Sequence, residues 1–96
     1  GMFNNSSFNQ PIGNWDTSNV TKMGAMFFTA VSFNQDISSW DVSNVTDVSH
    51  MFGTATSFNQ DLSGWCVSLI DKAPTNFSSG SSISQTSLPL WGTCPD

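Results

Sequence analysis

Large apolar residues recur along this chain in columns 25 positions apart. Written as three lines, residues 3–26, 27–51 and 52–76 fall under one another, and residues 77–96 follow as a degraded fourth copy. Phe27, Phe52 and Phe77 share one column, and Phe8, Phe33, Phe58 and Ile83 the next. Ile12, Ile37 and Leu62 form a third, Trp15, Trp40 and Trp65 a fourth, and Val20, Val45 and Ile70 a fifth. The tetrapeptide SFNQ, at 7–10, 32–35 and 57–60, marks the same phase. One residue is missing between Phe3 and Phe8, and one is inserted before Leu88 and Trp91. Irregularity at the terminal copies is what capping units show.

Within a copy the spacing changes from segment to segment. In SSWDVSN, Trp40 and Val42 alternate with Ser39, Asp41 and Ser43, which predicts a short strand with one face buried. In NVTDVSHMF, Val45, Val48, Met51 and Phe52 are spaced as on one face of a short helix, with Asn44 or Thr46 as its cap and Asp47 in its first turn. GTATSFNQD is rich in turn formers and reads as a loop. A unit of this size cannot form a core alone, so successive copies must stack. The expected architecture is a single domain over 1–96, a right-handed leucine-rich-repeat-like solenoid of about three and a half coils, with short parallel strands and short helices. Residues 77–96 would be its capping coil. The N-terminal coil, headed by Phe3 and Phe8, carries no comparable cap and predicts either further coils ahead of it or a homodimer through that edge.

Composition narrows the function classes. Charged residues are 9% of the 96, aromatic residues 12%, and the net charge is −5 with Lys22 and Lys72 as the basic residues. That balance is the reverse of a disordered chain. Two lysines do not make the basic patch that phosphate neutralisation requires, so no nucleic-acid partner is expected. No apolar run approaches the roughly 20 residues of a membrane-spanning helix, so no membrane insertion is expected. Gly1 reads as a remnant of tag removal, which leaves native targeting signals open. There is no G-x-S-x-G, Gly-rich phosphate loop or Cys/His metal spacing, and His50 is the one histidine; the chain reads as non-catalytic and without a cofactor.

The stretch FNQDISSWDVSNVTDVSHMF, residues 33–52, resembles the 25/26-residue repeat of bacterial surface proteins, a BspA-like relative of the leucine-rich repeats found in mycoplasma and Listeria lipoproteins. The resemblance covers residues 3–77 well and the last twenty poorly. It implies a solenoid in a cell-surface or secreted setting, often in adhesion, and brings no catalytic residues. Pro11 stands where the other copies have Asp36 and Asp61, and Cys66 where they have Asp16 and Asp41.

Cys66 and Cys94 are read as a structural disulfide that fixes the last coil, although ideal strands would hold their Cα atoms about 8 Å apart, outside the usual window. The Asp columns, Asp16 with Asp41 and Asp36 with Asp61, are read as caps of turns and local backbone amides. A Ca²⁺-binding ladder is the competing reading, for which no compact D-x-D-x-D-G loop exists, and no metal residues are assigned. The sequons at Asn19, Asn44 and Asn76 follow from the repeat itself, and Met23, Met26 and Met51 read as core filler.

The functional expectation is therefore a module that contacts a surface protein or glycan through its outward strand face, carrying Ser39, Asp41, Ser43, Asp16 and Ser18. A structural spacer and a self-associating end of a longer surface protein are the alternatives. The expected location is extracellular or the cell surface.

Overall fold

In a computed structural model, the structure describes residues 7–95; Phe3, expected to head the first repeat, lies outside them. The expected solenoid of strands and helices is not what the chain forms. Among the described residues there is no α-helix and no strand: regular structure amounts to one 3-10 turn, Gln85–Ser87, and one isolated parallel bridge between Lys22 and Asp47. The protein is an irregular compact body with a Cα radius of gyration of 11.9 Å, held together turn by turn.

The turns account for the spacing that suggested a helix and a strand. In each repeat, backbone N–H groups donate to the carbonyl three residues back, and apolar residues occupy most of the positions so joined. Trp40 N–H donates to Ile37, Val45 to Val42, Met51 to Val48, Ala55 to Phe52 and Phe58 to Ala55. One period earlier the same turns recur, with Trp15 to Ile12, Val20 to Thr17, Met26 to Met23, Ala30 to Phe27 and Phe33 to Ala30. A chain of such turns places apolar residues three apart without the hydrogen bonds of a helix. His50 has φ 60°, a left-handed conformation that stops a right-handed helix. Trp40 and Val42 alternate because one ends a turn and the next begins another. The Asp41 side chain takes the Ser43 N–H, so that donor is not available to a strand ladder.

Repeats are joined to one another in register. Met23, Ala25, Phe27 and Thr29 N–H groups donate to the carbonyls of Asp47, Ser49, Met51 and Gly53. On the other side of the repeat the direction reverses. Asn34 N–H donates to Asn9 Oδ1 at 2.9 Å and Asn59 N–H to Asn34 Oδ1 at 3.1 Å, while Gln35 and Gln60 amides reach the same two asparagines. Buried Trp40 Nε1 donates to the Ile12 carbonyl at 3.0 Å, and Trp65 Nε1 to Ile37 at 3.1 Å. These bonds satisfy groups whose burial unpaired would cost about 1–3 kcal/mol each.

Two aromatic ladders run through the core. Phe8, Phe33 and Phe58 stack at 5.8 and 5.7 Å, and Phe27 stacks on Phe52 at 5.4 Å. Within a repeat the ladders touch, Phe27 on Phe33 at 4.1 Å and Phe52 on Phe58 at 4.2 Å. Around them are packed Ile12, Ile37, Leu62, Trp40, Trp65, Val45 and Ile70, all buried.

Two columns depart from expectation. Trp15, placed in the core with Trp40 and Trp65, is 46% exposed, against 4% and 1% for the others. Trp40 is covered by the first repeat and Trp65 by the second, and no earlier repeat lies over Trp15 among the described residues. Phe77 is buried but does not continue the Phe27–Phe52 stack. Its N–H donates to Pro74, as Met51 donates to Val48, while Ser81 donates to Ser78 as Ala55 does to Phe52. Phe77 thus takes the place of Met51, and its ring meets Phe52 edge-on at 86°. The extra residue enters before Phe77, earlier than the sequence columns placed it. Asn76 and Gly80, at φ 53° and 82°, mark the same shift: they follow His50 and Thr54 by 26.

Candidate functional site

The outward residues singled out in the sequence belong to a recurring tripeptide, Asp-x-Ser, found at 16–18, 36–38, 41–43, 47–49 and 61–63. In every instance one carboxylate oxygen, Oδ1, accepts two bonds from the serine two residues on. Asp41 Oδ1 takes the Ser43 N–H at 3.0 Å and its hydroxyl at 2.6 Å. Asp16 holds Ser18 at 3.1 and 2.6 Å, and Asp36 holds Ser38 at 2.9 and 2.6 Å. Asp61 and Asp47 do the same to Ser63 and Ser49. The aspartate stands one residue before a backbone turn, and the arrangement is an Asx-turn that starts it. The pair 47–49 was missed by column reading, because its equivalents in the other repeats are different residues; the tripeptide itself was the available signal.

Where the aspartate is replaced, the serine often changes with it. The first repeat has Pro11-Ile12-Gly13 for Asp36-Ile37-Ser38, and Lys22-Met23-Gly24 for Asp47-Val48-Ser49. The third has Cys66-Val67-Ser68, with Cys66 Sγ 3.9 Å from Ser68 Oγ. Cys66 is joined to Cys94 in a disulfide, with Cα atoms 4.0 Å apart rather than the 8 Å that ideal strands implied. The backbone explains the difference. Val67 N–H donates to Thr93 and Gly92 N–H to Val67, drawing the last segment against the third repeat.

The electrostatics follow from these bonds. The Asp16, Asp36, Asp41 and Asp61 carboxyls are held below the ordinary carboxylate value, chiefly by the serine hydroxyl and then by the serine N–H. For Asp47 the Ser49 N–H contributes most, and Lys22 adds to it. The Asp16 charge opposes the effect slightly at Asp41, which places the two in the same electrostatic neighbourhood. Asp16 and Asp41 are exposed, as is Ser39, whose hydroxyl donates to the Gly13 carbonyl at 3.3 Å; Ser18 and Ser43 are half-buried. Among the described residues the second oxygen, Oδ2, of Asp16 and of Asp41 accepts no hydrogen bond. The structure thus brings Ser39, Asp41, Ser43, Asp16 and Ser18 onto neighbouring turns of two stacked repeats, though on turns rather than strands.

No three His, Cys, Asp or Glu side chains converge among the described residues. His50 lies with its Nδ1 3.5 Å from the Asn76 amide and its ring edge-on to Phe28. No helix is long and apolar enough to cross a membrane among them. A second surface feature is a hollow on the outer side of the first repeat, lined by Trp15, Thr17, Val20, Lys22, Met23 and Met26.

No curated protein and no solved structure gives a significant match to the chain. A family profile described as "Mycoplasma protein of unknown function, DUF285" matches residues 1–91. With nearly the whole length covered, and the same period running through it, the chain belongs to the DUF285 family.

Proposed function

We propose that the chain is a non-catalytic contact module of an extracellular or cell-surface protein, and that it holds a protein or glycan partner on the face formed by Asp16, Ser18, Ser39, Asp41 and Ser43. The observation that carries this reading is the division of labour within each aspartate. One oxygen is spent on the turn, and the other is left without a hydrogen bond on an exposed residue at the same place in two successive repeats. Carboxylate oxygens and serine hydroxyls in a fixed row suit hydroxyl-rich or amide-rich partners. The setting is supported by the likeness of residues 33–52 to surface-protein repeats and by the disulfide, a bond that persists in oxidising surroundings.

The test is a screen of the purified, oxidised chain against glycan and cell-surface protein arrays, followed by Asp16→Asn/Asp41→Asn. Asparagine keeps an oxygen for the turn and removes the charge, so the fold is expected to survive. Saturable attachment lost in the double variant supports the reading. Attachment that is indifferent to both substitutions moves the site elsewhere, and no saturable attachment at all favours a spacer.

A further inference from the structure

We propose that the hollowed outer side of the first repeat is a docking surface for a further repeat of the same kind, one that presents the carbonyl row of Asn9, Ile12, Ser18 and Thr21 in its own equivalents. The inference extends an interface the molecule already contains twice. Where the second repeat meets the first, Gln35, Asn44 and Thr46 donate side-chain bonds to Asn9, Ser18 and Thr21 carbonyls. Gln60 repeats the first of these against Asn34. In the first repeat the same positions are Gln10, Asn19 and Thr21, all exposed, and among the described residues none of their side chains donates a hydrogen bond.

The acceptors tell the same story from the opposite side. Asp47, Ser49 and Met51 carbonyls each receive an N–H from one stacked layer earlier, those of Met23, Ala25 and Phe27. Their first-repeat equivalents, the Lys22, Gly24 and Met26 carbonyls, receive none among the described residues. Donors and acceptors therefore stand in the order that the second repeat presents to the first. Between them lies the apolar hollow of Trp15, Val20, Met23 and Met26. In the second repeat the corresponding Trp40, Val45, Val48 and Met51 are buried under the first. A partner that fits must supply carbonyls along one half, N–H groups along the other and apolar side chains between. The following side of a repeat has all three in that order.

The test keeps the full chain and inserts a copy of residues 32–56 between Ser6 and Ser7, in phase with the native period. Amide exchange at Asn9 and Thr21 is expected to slow by about tenfold or more in the extended chain, since both gain partners. Trp15 emission should shift to shorter wavelength. Thr21→Val should lower the melting temperature in the extended chain and leave the native chain nearly unchanged, because the hydroxyl has a carbonyl to meet only in the former. A scrambled insert of the same composition should give none of these effects. Unchanged exchange at Asn9 and Thr21, or an equal effect of Thr21→Val in both chains, overturns the proposal. So does a concentration-dependent dimer of the native chain that protects this face, since the occupant would then be a second copy head to head.

Discussion

Phe52 is where the stacked repeats converge, and its truncation measures how far they depend on one another. The side chain is fully buried and touches three rings: Phe58 at 4.2 Å, Phe27 at 5.4 Å and Phe77 at 5.3 Å. Phe→Ala at a buried site costs about 3–5 kcal/mol through lost transfer energy and the cavity left behind. Three ring partners put Phe52→Ala near the upper end, because each aromatic pair adds about 0.5–1.5 kcal/mol beyond its buried area. Against a total stability of roughly 5–15 kcal/mol that is a large share. The melting temperature should fall by about 15–30 °C. Phe28, next along from the Phe27 ladder but 37% exposed, is the control, and Phe28→Ala should cost no more than about 1–2 kcal/mol. Urea unfolding of the oxidised chain, with the slope m unchanged, gives both values. If Phe52→Ala costs no more than Phe28→Ala, the repeats do not share one core and the reasoning fails.

Three more expectations follow from the turns and the terminal segment. Reducing the Cys66–Cys94 disulfide, or replacing both residues by serine, releases a loop of 28 residues and should cost about 3–4 kcal/mol, read as the change in urea midpoint with and without reductant. An unchanged midpoint would mean that the backbone contacts of Val67 alone fix the last segment. Acid should destabilise the fold. The five Asx-turn carboxyls titrate below their ordinary value when folded, so their contribution is intact above the unfolded value of about 4 and is lost as pH falls through the lower, folded values. A melting temperature that stays flat between pH 5 and pH 2, taken as roughly the window around those values, contradicts this. Thr54 sits at φ 54°, where an L-residue is strained by about 1–2 kcal/mol; Thr54→Gly should therefore be more stable than Thr54→Ala by about 1 kcal/mol in parallel melts, as Gly80 at the equivalent position suggests.

The period was legible in the sequence because stacking demands like under like, and the buried ladder of Phe33 and Phe58 lies where its column placed it. Local conformation was not legible, for a specific reason. Apolar spacings of three and two are shared by helices, strands and a run of turns, and only the hydrogen bonds distinguish them. The deciding residues were the polar ones. Asp47 holding Ser49 and His50 at positive φ exclude a helix through NVTDVSHMF, and Asp41 holding Ser43 withdraws a donor from any strand at SSWDVSN. Trp15 shows the complementary error: a column assigns a position in the repeat, while burial depends on what lies over that position. At Phe77 identity misled register, since a phenylalanine one residue out of phase stands in Met51's place.

The departures of the first repeat bear on its open side. Pro11 with Gly13 and Lys22 with Gly24 replace Asp-x-Ser pairs, which at first sight marks this repeat as a terminal cap. Their geometry points the other way. A Cβ on Gly13 would lie 2.6 Å from the Asp36 carbonyl oxygen, and one on Gly24 3.3 Å from the Asp47 carboxylate. Both glycines thus serve the close approach of the second repeat. The outer side keeps the Gln10, Asn19 and Thr21 donors of an interior repeat unaltered. A cap would be expected to replace such donors or cover them, as the last segment does at the opposite end with Cys94 and the Val67 contacts. The first repeat is adapted to its neighbour on one side and still has the form of a repeat with a neighbour on the other.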